Sequence, residues 1–249
     1  MTKSILVLGG TGATGRHVVS QLLGKGHNVR SIVRSKERLI ASLPEELRDN
    51  DNLTIIESTV LSMSNDELVK VITGCQVVIC CLGHNGTLEG VYGEPRMLVK
   101  DSIAKISDIV KDTNPPQAVK IILMGTIGAA NPDGSDELIR PFGERMLLGV
   151  LRIMIPPVKD NEAAAEYLSK TIGKEESSLE WVVVRPDDLI DGEVSDYQTT
   201  PKPSGSLFGA GKTTRSNVAA FMCDLSLNDS LWKEWVYKMP VIRNVLNDV

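Results

Sequence analysis

The stretch that decides the fold is Ser4-Ile5-Leu6-Val7-Leu8-Gly9-Gly10-Thr11-Gly12-Ala13-Thr14-Gly15-Arg16. A short apolar run leads straight into glycines at 9, 12 and 15, and a helix-compatible segment, Arg16 to Leu23, follows. Each glycine has a mechanical job in a strand–turn–helix unit that holds a dinucleotide. One permits the tight turn, one lets a pyrophosphate approach the backbone, and one lets the helix pack closely on the strand. The pyrophosphate then rests on the helix N-terminus, where free N–H groups and the helix dipole favour negative charge.

The end of the second strand bears on which dinucleotide is bound. His27 to Val33 reads as that strand, and Arg34-Ser35-Lys36 follows it. An NAD site wants Asp or Glu here to bond the ribose 2′-hydroxyl. This chain offers Arg34, with Lys36 and Arg38 close behind. A guanidinium pairs bidentately with a 2′-phosphate and stacks on adenine, so the expectation is NADP(H). The plain alternative is an ordinary basic turn.

Outward from these elements, apolar β-rich runs recur with helical patterns between them. The runs are Ile5–Leu8, Val29–Val33, Leu53–Glu57, Gln76–Leu82, Val119–Met124 and Trp181–Val184. Helical segments are predicted at Gly12–Leu23, Asn65–Ile72, Arg96–Lys111, Asn161–Thr171 and Asn217–Leu225, and Trp235–Val241 could add a last strand. Near-continuous hydrophobicity marks strands buried on both faces, and the alternation indicates an α/β doubly wound parallel sheet of the Rossmann type. The whole chain, 1–249, reads as a single domain: 1–185 as the cofactor-binding core and the loop-rich 186–249 as a small substrate-covering region with the final strand. Ligands in such sheets bind beyond the carboxyl ends of the strands. The residues to read for chemistry are therefore Gly9–Gly15, Arg34–Arg38, Ser58–Val60, Leu82–Asn85, Gly125–Ile127 and Arg185–Asp188.

Composition excludes several functions. A net charge of −5, from 27 basic and 32 acidic residues interspersed, gives no bulk attraction to nucleic acid. Aromatics are only 4% of residues, too few for base-stacking platforms. No apolar run reaches the length of a membrane span, and no signal peptide precedes the first strand, so the expectation is a cytoplasmic protein, monomer or homodimer, with no membrane or nucleic-acid partner. The cysteines Cys75, Cys80, Cys81 and Cys223 lack CxxC spacing. They read as small core hydrophobes in a reducing compartment, and no metal is expected.

Gly9-Gly10-Thr11-Gly12-Ala13-Thr14-Gly15, Val33-Arg34, Leu82-Gly83 and Trp181-Val182-Val183-Val184-Arg185-Pro186 together resemble an atypical short-chain dehydrogenase/reductase. The likeness is to the NAD(P)H-binding group that includes biliverdin IXβ/flavin reductase and NmrA-like proteins, and it fades after about residue 225. It implies a pyrophosphate loop at Gly9, Thr11, Gly12, Ala13, Thr14 and Gly15, and a 2′-phosphate site at Arg34, Ser35 and Arg38. It places adenine near Thr59 and Val60, without the Asp usual there, and the nicotinamide ribose along Leu82 and Gly83. It also implies a hydroxyl near the nicotinamide at Thr126.

One departure alters the implied chemistry. Most short-chain dehydrogenases use YxxxK, with Tyr as general acid and Lys on the nicotinamide ribose. Here the segment reads Ile155-Pro156-Pro157-Val158-Lys159, so Lys159 is kept and Ile155 replaces the acid. Tyr167 is a poor substitute, two helical turns past Lys159. The likeness to flavin and biliverdin reductases implies a conjugated acceptor, whose reduced anion is delocalised and takes its proton from solvent, while the protein supplies orientation.

The remaining signals are weaker. Gly209-Ala210-Gly211-Lys212-Thr213 resembles the end of a P-loop, but Ser206 stands where the first glycine belongs. Ser216 or Asn217 is the expected N-cap of the helix that follows. Glu137 to Val158 reads as an amphipathic insertion that packs on the sheet or a partner, or walls a flat apolar substrate. His84, directly after Leu82-Gly83, could face the nicotinamide, while His17 and His27 read as structural or solvated. Asp187 and Asp188 form a turn or line the substrate side. The candidate catalytic residues are thus Thr126, Lys159 and His84. Two functions are compatible with them: an NADPH-dependent reductase of a flavin-, quinone- or tetrapyrrole-like acceptor, or a catalytically silent NADP(H)-binding redox sensor acting through a protein partner.

Overall fold

A computed structural model describes residues 2–84, 93–129, 131, 136, 143, 146, 156–203 and 211–245. Ten strands and seven α-helices lie among them. In chain order they are β1 (Ser4–Leu8), α1 (Gly15–Gly24), β2 (Asn28–Val33), α2 (Lys36–Ser42), β3 (Leu53–Glu57), α3 (Asn65–Ile72), β4 (Val77–Cys80) and α4 (Leu98–Thr113). There follow β5 (Val119–Met124), α5 (Pro156–Glu166), which runs into a π-helical turn (Tyr167–Ile172), and β6 (Leu179–Pro186). The chain continues with β7 (Asp188–Ile190), β8 (Tyr197–Thr200), β9 (Lys212–Thr214), α6 (Arg215–Leu227), α7 (Asp229–Trp235) and β10 (Val241–Asn244).

The sheet order is β3-β2-β1-β4-β5-β6-β10-β8, parallel from β3 to β10 and closed by antiparallel β8, with β7 and β9 as a separate parallel pair. The 3-2-1-4-5-6 order is that of the doubly wound dinucleotide fold, whose crevice opens where the winding reverses between β1 and β4. The central strands bury both faces. Leu6, Leu8, Val78, Ile121 and Val183 pack against Leu68 of α3, Ile103 and Ile106 of α4, and Ala164 of α5. Their neighbours Ile5, Val7, Val77, Ile122 and Val182 pack against Val18 and Leu22 of α1 and Phe221 and Met222 of α6. Alternate residues of one strand thus feed two cores. All four cysteines are buried, which pushes the Cys80 and Cys223 thiols up to about 12.

Several boundaries differ from expectation for local physical reasons. Trp235–Val241 is not a strand: Asn228 accepts from the amides of Ser230 and Leu231, starts α7, and carries Trp232 and Trp235 into the core as a helical face. The strand begins only after Pro240. Thr214, rather than Ser216 or Asn217, caps α6 by accepting from the Asn217 amide. Lys212-Thr213 lies in β9, where the Thr213 hydroxyl donates to Ile242 O at 2.8 Å, while Gly209 and Ala210 of the P-loop-like stretch lie outside the described residues. The stretch after Pro186 supplies core, since α6 lies on α1 and buries Val218, Phe221 and Leu225. Ile155 and nearly all of Glu137–Val158 lie outside the described residues.

Candidate functional site

Beyond the carboxyl ends of β1 to β4 lies a cleft of about 580 Å³. Gly9, Thr11 and Gly12 form its base; Arg34, Arg38 and Ser58 to Ser62 form one wall; Leu82, Gly83, Glu94, Pro95, Leu98 and Ser102 form the other. The base is tight because it must be. Gly9 has a φ of 78°, and a Cβ there would meet the Cys81 carbonyl oxygen at 2.6 Å. A Cβ at Gly15 would sit 2.1 Å from Gly9 O, so α1 packs on the loop with no room for a side chain. The Gly12 amide donates to Gly9 O at 2.9 Å and closes the turn, whereas the amides of Ala13, Thr14 and Gly15 donate to no backbone carbonyl among the described residues. Thr14 is the buried N-cap residue of α1, without a side-chain cap bond. Free amides at a helix start make an anion site.

On the neighbouring wall, Arg34 and Arg38 are exposed, and neither guanidinium has an ion-pair partner among the described residues. Ser35 starts α2: its hydroxyl accepts from the Arg38 amide at 3.1 Å and donates to Glu37 Oε2 at 3.0 Å. The Glu37 backbone amide and the Ser35 hydroxyl hold that carboxyl below its usual range. Thr59 and Val60 follow β3, with the Ser58 amide bonded to Val33 O at 2.8 Å, so the two strand ends share one crevice.

Of the predicted cofactor residues, Gly9, Thr11, Gly12, Arg34, Arg38, Thr59, Val60, Leu82 and Gly83 line this one cleft, whereas Ala13, Thr14, Gly15 and Ser35 stand behind its lining. None of the three candidate catalytic residues lines that cleft. Thr126 stands after β5, and its hydroxyl accepts from the Gly128 amide at 3.3 Å. Lys159 is exposed on α5. His84 turns inward: its Nε2 lies 2.8 Å from Asp160 Oδ2, and its side chain is only 4% exposed. Asp160 is fully buried and accepts the amides of Val99 (2.8 Å) and Lys100 (2.9 Å), so one carboxylate binds the first turn of α4 and the imidazole together. Sequence reading missed Asp160, because its partners lie 61, 60 and 76 residues away.

Arg185 of the Trp-x-x-x-Arg-Pro element is a buried joint rather than a ligand-facing cation. It pairs with the buried Asp136 carboxylate and donates to Met239 O (2.8 Å), Ala129 O (3.2 Å) and Pro201 O (3.3 Å). Asp187 is also buried, and burial pushes its carboxyl up despite Arg243 Nε 3.7 Å away. Asp188 starts β7 and is exposed. Tyr167 opens the π-helical turn and packs against the first core, beside Ser107. A second cavity of about 560 Å³, lined in part by Lys170, Lys174, Trp181 and Tyr237, contains none of the predicted site residues.

A glycine cradle that any Cβ would fill, with helix-start amides and two guanidinium groups that lack partners among the described residues, fits a phosphate-bearing dinucleotide. No described helix is long and apolar enough to cross a membrane.

Comparison with known proteins agrees with that geometry. An uncharacterised chloroplastic protein of Arabidopsis thaliana is 37% identical over 83 residues, 33% of this chain and 28% of that protein. The chain spans less than half the length of the curated relatives it matches. An anaerobilin reductase of Escherichia coli O157:H7 superposes with a TM-score of 0.67 at 14% identity, covering 99% of this chain and 100% of that one. A candidate NADH-flavin reductase of Streptococcus pneumoniae gives 0.63 at 18% identity, covering 98% and 100%. At such identities the likeness is one of fold. The pattern of the NAD(P)H-binding family matches residues 9–229, from the first glycine of the cradle to the start of α7, and the chain belongs to that family.

Proposed function

We propose that this protein is an NADPH-dependent oxidoreductase acting on a flat conjugated acceptor of the flavin, quinone or tetrapyrrole class. The observation that carries the cofactor choice is the pair Arg34 and Arg38, on the cleft wall beside the glycine cradle with no ion-pair partner among the described residues. When bound, NADPH supplies hydride. The loop Gly9, Thr11, Gly12, Ala13, Thr14 and Gly15 holds the pyrophosphate, Arg34 and Arg38 bind the 2′-phosphate, and Ser35 orients them by starting α2. Thr59 and Val60 flank the adenine, and Leu82 and Gly83 flank the nicotinamide ribose, which Lys159 also reaches. Thr126 orients the acceptor through its hydroxyl. With Ile155 in place of an acid, favoured acceptors are those whose reduced anion is already delocalised and takes a proton from water. The reductase names of two fold relatives support the same acceptor class.

Arg34→Ala tests the cofactor reading. Charge-assisted phosphate contacts should favour NADPH over NADH by about 2 kcal/mol in the wild type, and the variant should lose most of that preference. Equal wild-type affinities for the two cofactors overturn it. For the chemistry, NADPH oxidation is followed with a flavin and with a simple ketone. General acid catalysis is worth about 10²–10⁴-fold, and the ketone should be slower by that order. A silent redox sensor is the second reading, favoured by the burial of His84 against Asp160; it predicts NADPH binding without oxidation by any of these acceptors.

A further inference from the structure

Ser102 lies on α4, one turn beyond Leu98, and both border the cleft. It is fully buried, and its hydroxyl has no hydrogen-bond partner among the described residues. Helical serines commonly bond the carbonyl one turn back, and a buried hydroxyl left without a partner carries its full desolvation cost. Ser102 does neither the first nor escapes the second, and it does so immediately beneath the surface of a ligand cleft.

The hydroxyls of Ser58, Thr59 and Ser62 on the facing wall are occupied. Thr59 Oγ1 and Ser62 Oγ lie 2.8 Å apart, and each also accepts the other residue's amide, at 3.2 and 3.3 Å. Ser58 Oγ joins the same knot at 3.3 Å from Ser62 Oγ. Lys105, next on the α4 face, donates to Leu61 O at 3.3 Å and to Met63 O, fixing this loop against the helix. Between Val60 and Leu61 on one side and Pro95 and Leu98 on the other, the cleft offers apolar walls that suit the faces of a flat ring. Ser102 offers that ring's edge a hydroxyl that both donates and accepts.

We propose that Ser102 is the hydrogen-bonding contact for the adenine base of the dinucleotide, so that ligand binding satisfies a hydroxyl the free protein leaves unpaired. The inference rests on the dinucleotide reading above. It makes Ser102→Ala a variant of opposite effects. Removing an unsatisfied buried hydroxyl should raise the melting temperature of the ligand-free protein by about 2–4 °C. The same change should weaken binding of 2′,5′-ADP, the probe for the adenine half, by about five-fold in calorimetry. Binding of reduced nicotinamide mononucleotide, the other half, should not move. Ser107, equally buried on α4 but beside the Tyr167 hydroxyl and off the cleft, is the control: Ser107→Ala should leave 2′,5′-ADP affinity unchanged. An unchanged affinity in Ser102→Ala overturns the proposal, as does an equal loss in Ser107→Ala or a melting temperature that falls together with affinity. Failure of the cofactor reading looks different: wild-type protein would then bind 2′,5′-ADP no better than 5′-AMP.

Discussion

The two ends of the sheet are built by different means. The β1–β4 end is an apolar layer with an open, cationic rim: Ile5 to Leu8 have 0% exposure, while Arg34 and Arg38 reach into the cleft with no ion-pair partner among the described residues. At the β6–β10 end, buried polar side chains tie the chain together. Arg185 joins Asp136, Ala129, Met239 and Pro201, and Asn217 bonds Ser195 Oγ at 3.0 Å and Asn244 Oδ1 at 2.8 Å. The first end keeps its charges available to a ligand. The second spends its polar groups on holding chain segments together. Function and stability should therefore separate under mutation.

The strongest test is Asp136→Ala. It leaves the fully buried Arg185 guanidinium without its carboxylate, and breaking a buried pair from one side costs about 3–5 kcal/mol. Denaturant unfolding should show that loss, while the NADPH affinity of the folded fraction stays at the wild-type value. Pairing it with Arg185→Leu should recover part of the stability, because the uncompensated charge is then gone. A cofactor affinity that collapses in step with stability would mean that the two ends are not separable.

Gly15→Ala probes the other end. The added Cβ would lie 2.1 Å from Gly9 O, so either α1 or the loop must shift. Overpacking of this kind costs about 1–3 kcal/mol, less than the Asp136 change. Here NADPH binding should suffer at least ten-fold, on the order of 1.4 kcal/mol, since the displaced amides are those proposed to meet the pyrophosphate. Wild-type affinity in this variant would remove the loop from the phosphate site.

This contrast also accounts for what the sequence disclosed. Glycine spacing after an apolar run, and near-continuous hydrophobicity in β1, β2, β4 and β5, are local patterns tied to local geometry, so the fold and the cleft residues from Gly9 to Gly83 could be read directly. The long-range joints could not. His84–Asp160 and Arg185–Asp136 link residues 76 and 49 positions apart, and nothing within either segment marks it for the other. Strands of three residues such as Asp188–Ile190 and Lys212–Thr214 carry too few alternations to register as a period. Ser102 escaped for a third reason: a serine inside a regular amphipathic helix looks unexceptional until its missing partner is seen.

The smallest expected effect distinguishes the two ends by pH. His17 on α1 and His27 before β2 both have pKa values lowered from 6.5; burial is the main cause, helped by Arg16 for the first and Lys3 and Lys25 for the second. Below the ordinary histidine pKa the unfolded chain therefore binds more protons than the fold, so stability is present above it and is lost as pH falls. Asp187 at the far end has the opposite sign. Its folded pKa is raised from 3.8 by burial, so lowering the pH through that raised value favours the fold. Melting temperature followed downward from about pH 7.5 should decline first on account of the histidines, with the decline shallower in His17→Gln/His27→Gln. In Asp187→Asn the decline should continue more steeply in the acid range above the ordinary aspartate value, where the wild type gains from protonating that carboxyl. If the double histidine variant retains the full wild-type slope between about pH 7 and 6, acid sensitivity does not originate at the cofactor end, and the partly buried imidazoles are better solvated than their surroundings indicate.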